Sequence, residues 1–401
     1  MGQRGAAPDR VLVAEAAPQA PVRPARLGWV DSLRALAALD VVVNHSALEA
    51  WPKGNPPSGL ASALAQPFVV GHYAVSVFIV LSGFSLMLPV ARRGMRMPWS
   101  VPGFFWRRAK RILPPYYCAM ALSLLLIWLF IGQKTGTHWD YSLPVTGHSI
   151  LVHVLLIQNL TAHDDTTINH VFWSVAMECQ IYLVFPLFVF FFRRYRPLFA
   201  ASVIVALSVA AYLSLTPTWV GQLQFYGNGS FVPQYFGLFA IGMGAACVYT
   251  APTRLTTRLG DWRVWELLAL VCFVSLWMLI DTWQPILLDL LTALGAVGLL
   301  LAAGRPSAHN PVRAALEWRP LVWIGGFSYS VYLIHAPLIQ LLWQHGLHPL
   351  GFELNALPTY LALIVVGVPL IVAASWLFWY GCERPFLNSK PLGWHRIGKA
   401  T

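Results

Sequence analysis

Charge is what this 401-residue chain has least of: Asp, Glu, Lys and Arg make up 11% of it, against 57% hydrophobic residues. Soluble domains carry about a quarter charged residues, so a soluble globular fold is excluded. Cysteine is also sparse, with five residues, no C-x-x-C spacing, and three of them (Cys118, Cys179 and Cys272) inside apolar runs. That pattern excludes a disulfide framework and leaves small buried hydrophobes. No internal repeat is visible. No apolar core precedes a small-residue cleavage site near the start, so residues 1–30, rich in Ala, Pro and Arg, read as a disordered cytoplasmic tail and not as a signal peptide.

Apolar sequence is plentiful. Ten runs are long enough to span a bilayer, at about 33–51, 68–90, 113–132, 171–192, 198–215, 233–250, 265–280, 286–303, 321–343 and 358–380. The 18 Trp and 14 Tyr suit the two membrane interfaces. A formal charge of +11 would suit nucleic acid, but its distribution does not. With a cytoplasmic N-terminus, the 27 Lys and Arg all fall on the cytoplasmic side except Lys53 and Lys134 outside and Arg34 in the first run. Such alternation reports membrane topology. The expectation is an all-α integral membrane protein with about ten transmembrane helices in one bundle and both termini cytoplasmic. Residues 31–386 form the membrane domain, 387–401 are a cytoplasmic C-terminal tail, and the partner surface is lipid, not nucleic acid. Residues 148–160 are too short and too polar to span and read as an interfacial or re-entrant helix on the outer side. The connection 133–170 around them holds five histidines at no usual ligand-pair spacing, so no metal is expected.

Ionisable residues inside the apolar runs carry the functional signal, because burying them in lipid is costly. Arg34 and His45 are eleven positions apart in the first run, close to three helical turns, so both lie on one stripe roughly 16 Å apart. Asp40 lies between them. At a rise of about 1.5 Å per residue, His45, Glu178 and His335 lie roughly 9, 10 and 12 Å below the outer ends of their runs, a common depth that a shared site requires. A histidine with an ordinary pKa of about 6.5 suits general-base work, and a buried carboxylate such as Glu178 would orient its ring. Glu178 paired with an arginine to fix helix packing is the other reading. On the cytoplasmic side, F-F-W-R-R-A-K-R-I-L-P-P-Y-Y gathers Arg107, Arg108, Lys110 and Arg111 in an amphipathic aromatic stretch. Alone, that loop fits topology and lipid-headgroup anchoring as well as a phosphate site, where arginine forks grip oxygens and Arg34 would add a third cation.

These stretches resemble the acyltransferase-3 family of integral membrane acyltransferases, from about Asp31 to Pro385. Arg34 to His45 resembles the family's arginine, ten residues, histidine signature, and Ser82-Gly83-Phe84 its S-G-F segment. Arg108-x-x-Arg111-Ile112-x-Pro114-x-Tyr116 resembles its basic loop, and Trp173-Ser174-Val175-x-x-Glu178 its W-S-x-x-x-E helix. Ser328-Tyr329-Ser330-x-Tyr332-Leu333-x-His335-x-Pro337 resembles its ninth-helix pattern, and Glu383-Arg384-Pro385 its usual ending. Asp40, where relatives usually carry an aliphatic residue, departs from the pattern.

The resemblance implies a multi-pass acyltransferase of a bacterial cell membrane. Its donor would be acyl-CoA, acetyl-CoA in the first instance, with no permanently bound cofactor; its acceptor would be a hydroxyl on an envelope glycan, glycolipid or macrolide. His45 would be the general base, oriented by Glu178. Arg34, Arg108 and Arg111 would hold the donor, with Ser82 and Gly83 lining its channel, although small residues there serve helix packing equally well. Ser328, Tyr329, His335 and Trp173 would hold the acceptor or the oxyanion. Direct transfer and a transient acyl-histidine both fit. The rival reading is a proton-coupled transporter or flippase using His45, Glu178 and His335 as a relay.

Overall fold

The computed structural model describes residues 27–52, 57–65, 71–161, 163–215, 232–250, 261–280, 285–305, 307 and 309–387. The bulk of both expected tails, 1–26 and 388–401, lies outside the described residues. Among the described residues there is no strand, and the protein is all-α. The principal helices are α1 (Gly28–Ala50), α2 (Gly71–Ala91), α3 (Val101–Leu126), α4 (Gly147–Val154), α5 (Trp173–Arg194) and α6 (Pro197–Leu215). Then follow α7 (Gln234–Thr250), α8 (Trp262–Leu279), α9 (Pro285–Gly304), α10 (Ser328–Leu341) and the last span, α11 (Leu357–Leu387).

Seven described helices are long and apolar enough to cross a membrane, and an eighth is counted if the short helix Arg319–Gly325, bent by 76° onto α10, is one broken span. The ten apolar runs all fold as helices, but two fall short of that standard. Helix α1 fails on apolarity, because it carries Asp31, Arg34, Asp40 and Glu49, and α7 fails on length, with 17 residues. Helix α1 also starts earlier than the sequence suggested. Trp29 and Val30 are buried in its first turn, where Asp31 suits the positive end of the helix dipole and accepts a hydrogen bond from Arg34 Nη1 at 3.1 Å.

Helix α1 sits in the middle of the bundle, packed on α2 and α10 and on Arg319–Gly325. Helix α3 starts where Ser100 Oγ accepts from Gly103 N at 3.2 Å with Pro102 in its first turn, and this sets Arg108 and Arg111, three residues apart, on one face. Helices α2 and α7 cross closely. A Cβ on Gly83 would stand 2.2 Å from the Phe239 carbonyl oxygen, and one on Gly242 would stand 2.1 Å from that of Val80. Two glycines thus let two backbones touch. This places Gly83 in a helix crossing, the packing role that small residues serve.

The connection between α3 and α5 folds over the C-terminal ends of α1 and α10. Residues 148–160 form α4 and a 3-10 turn, not a span. Leu151 and Leu155 are 56% exposed, while His153 is fully buried on the opposite side. The lid is stitched down by Thr137 Oγ1 to Gln340 Oε1 at 2.7 Å, Asn169 Nδ2 to the Leu333 carbonyl at 3.0 Å, and Tyr116 OH to the His153 carbonyl at 3.1 Å. These bonds satisfy polar groups that lipid would leave bare.

If Gly83 serves packing, Gly83→Ala should cost about 1–3 kcal/mol of stability, read as a lower thermal midpoint in detergent. The KM for donor of the folded fraction should stay at the wild-type value; a raised KM with an unchanged midpoint would return Gly83 to the channel.

Candidate active site

Two polar centres lie along the same two helices. The first is a cavity of about 210 Å³ on the basic side of the bundle. Arg34 enters it from α1, Ser82 and Ser85 from α2, and Arg108 and Arg111 from α3. Glu178 and Tyr182 come from α5, and Ser328, Tyr329 and Tyr332 from α10. Arg34 Nη2 donates to Ser85 Oγ at 2.7 Å, and Arg108 Nε is buried without a hydrogen-bond partner. Arg111 lies close enough to both other guanidinium groups for their charges to repel. Glu178 is the one carboxylate among the described lining residues, and it is already engaged by Ser82 Oγ at 3.2 Å and by the Tyr182 hydroxyl. Asp31 pairs with Arg34 at 3.1 Å and Glu383 lies near Arg111, both from outside the lining, so Arg108, with its unpartnered Nε, is the cation best placed to meet an incoming anion.

The second centre is one helical turn beyond the cavity. His45 Nδ1 and His335 Nε2 stand 2.7 Å apart with their rings stacked. The other ring nitrogen of His335, Nδ1, faces the backbone carbonyls of Tyr332 at 2.8 Å and Val331 at 3.2 Å. Carbonyls only accept, so Nδ1 of His335 carries its proton and, in the neutral ring, Nε2 offers a lone pair. His45 Nδ1 must then donate, which leaves the lone pair of His45 on Nε2. Backbone geometry therefore selects the tautomer of the ring that would act as a base.

His138 and His170 complete this centre from the lid. The His170 ring stands edge-on to both His45 and His138, with centroids 4.9 and 4.6 Å away. Burial pushes His138 down to about 4 and His170 well below the ordinary imidazole value, the latter helped by His138 and His335, so both are neutral at pH 7. Between the two centres stands Tyr332. Its hydroxyl is held by Ser174 Oγ at 2.6 Å and by the Val171 carbonyl at 3.0 Å, and its own carbonyl anchors His335.

The profile of a family described as an acyltransferase domain matches residues 27–380. The chain belongs to the acyltransferase-3 family. YrhL of Bacillus subtilis is 25% identical over 334 residues, 78% of this chain and 48% of that protein. The peptidoglycan O-acetyltransferase OatA of Listeria monocytogenes is 22% identical over 333 residues, 78% of this chain and 49% of its own. The acyltransferase MdmB of Streptomyces mycarofaciens is 26% identical over 358 residues, 84% of each. The chain thus spans about half the length of YrhL and OatA. No solved structure matches it. The apolar helices and bacterial relatives make it a multi-pass bacterial membrane protein.

The acyltransferase-3 motifs divide between the two centres. Arg34, Arg108, Arg111, Ser82, Glu178, Ser328 and Tyr329 share the cavity, whereas His45 and His335 meet beyond it. Glu178 does not orient His45: His335 holds that ring, and Glu178 faces Arg108 across the Tyr182 and Ser82 hydroxyls. Ser328 and Tyr329 are tied to the carbonyls of Gly325 and Ile112. Glu383 of the closing motif accepts from Ser330 Oγ at 2.6 Å, pinning α11 to α10. Trp173 lies in neither centre. It stacks on His72, with centroids 6.0 Å apart, beside Tyr235 and the buried Asp289. Asp289, alone in the apolar run I-L-L-D-L-L, was legible as a costly buried carboxylate. His138 and His170 had no such signal, because only tertiary folding brings them to His45.

Glu178→Gln removes an anion from a site suited to anions, so calorimetric CoA binding should be no weaker than wild type, while Arg108→Ala should weaken it roughly tenfold or more. Equal losses from the two variants would put the carboxylate in direct contact with the donor.

Proposed function

We propose that the chain is a membrane O-acyltransferase that moves an acyl group, acetyl in the first instance, from cytosolic acyl-CoA to a hydroxyl of a sugar-containing acceptor. One observation carries this reading: α1 and α10 each run from the arginine cavity to the paired histidines. On α1 the two centres are eleven residues, roughly 16 Å, apart, a separation that a flexible pantetheine arm can bridge. The CoA phosphates engage Arg34, Arg108 and Arg111 on the side rich in Lys and Arg, and the thioester reaches toward His45.

His45 Nε2 removes the acceptor hydroxyl proton as the oxygen bonds to the thioester carbonyl carbon. The resulting imidazolium turns the His45–His335 hydrogen bond into a charge-assisted one, stabilising the charge as it forms. The tetrahedral intermediate collapses by breaking its carbon–sulfur bond, and His45 returns the proton to the departing CoA thiolate. The orienting group is thus a neutral imidazole clamped by main-chain carbonyls. An envelope glycan, a glycolipid and a macrolide all present the required hydroxyl, and the peptidoglycan acetyltransferase among the relatives favours a glycan.

His45→Ala should lower acceptor-dependent thiol release from acetyl-CoA by on the order of 10²–10⁴ in kcat while the protein still folds and inserts. His335→Ala should lower it too, and His335→Gln, which keeps an acceptor for His45 Nδ1, should recover part of the loss. A His45→Ala variant retaining most activity would remove the residue from catalysis. Arg111→Ala should raise KM for acyl-CoA more than for acceptor; equal effects would make the arginine structural.

A further inference from the structure

His45, His138 and His170 present one ring nitrogen each within 4.8 Å of one another. The three come from α1, from the 3-10 turn His138–Ser142 and from the loop before α5. Two of the rings have the polarity that metal ligation uses, one nitrogen tied behind and the other facing the cluster. His45 donates through Nδ1 to His335. His170 Nδ1 is held by Ser142 Oγ at 3.1 Å, and its Nε2 is buried with no hydrogen-bond partner. A carboxyl group is close at hand. Glu49 follows His45 by one helical turn, contacts Thr137 next to His138, and keeps Oε1 buried without a partner.

We propose that these three imidazoles capture a soft divalent cation, zinc foremost, and that its binding switches the transferase off. Three histidine nitrogens with a fourth position open form a common zinc set, and imidazole also suits copper and nickel. Tetrahedral bonds of about 2.0–2.1 Å require ligand atoms about 3.4 Å apart, so the rings must draw inward. Two of them lie outside the long helices. The inhibitory consequence rests on the role of His45 proposed above: the Nε2 lone pair cannot bind a metal and receive a proton together.

Metal binding is measured on purified full-length protein in detergent, stripped with EDTA, then titrated with zinc chloride by calorimetry and checked by metal analysis after desalting. One zinc per chain is expected. His170→Gln should abolish binding, and Ser142→Ala, which frees the far side of the ring, should weaken it about tenfold. Acceptor-dependent thiol release should fall with the same zinc midpoint and return with EDTA. Absence of stoichiometric zinc in the wild type overturns the site and leaves the general-base reading intact. Zinc bound without inhibition overturns the switch. If EDTA abolishes transfer and zinc restores it, the inhibitory proposal and the general-base role fall together.

Discussion

The hydrogen bond between His45 and His335 is the contact on which the rest of the architecture turns. It joins the middle helix of the bundle to the bent helix α10, between the half-buried ring of His45 and the fully buried ring of His335. Because His335 is anchored to main-chain carbonyls of its own helix, the protons along the pair have one low-energy arrangement. A change in backbone geometry around Tyr332 would be felt at the far nitrogen of His45.

Several other features follow from keeping that pair dry yet reachable. The lid between α3 and α5 covers the histidines, and its own polar groups are met by Gln340, the Leu333 carbonyl and Tyr116. The glycine crossing of α2 and α7 draws the helices behind the cavity together, and fully buried Phe84, Phe185 and Phe239 fill that region. On the basic side the arrangement is reversed. Arginines crowd one another around an engaged carboxylate, a configuration whose repulsion an anionic ligand would relieve.

Much of this was legible in the amino-acid order. The eleven-residue interval between Arg34 and His45 placed both on one stripe of a helix, and a helix that cannot shed its charges must keep them inside. Depth along the spans brought His45 and His335 to one level. Depth counted from the ends of apolar runs also admitted Glu178, which lies in the arginine cavity and not beside the histidine pair. Rotation about a helix axis depends on which neighbour it packs against, and apolar runs do not encode that. Gly83 lies in a helix crossing and Trp173 against His72, positions that apolar runs do not encode either. The lid histidines were beyond reach because irregular chain has no periodicity from which to compute a direction.

The direct test is a cryo-EM structure of the protein with an acetyl-CoA analogue whose sulfur is replaced by a methylene group, so that transfer cannot occur. The account predicts phosphates against Arg34, Arg108 and Arg111, Tyr332 displaced, and the carbonyl carbon near His45, leaving space for an acceptor oxygen about 3 Å from Nε2. An acyl group that stops in the cavity against Glu178 and Tyr182, with Tyr332 still bonded to Ser174 and closing the way to His45, would contradict it.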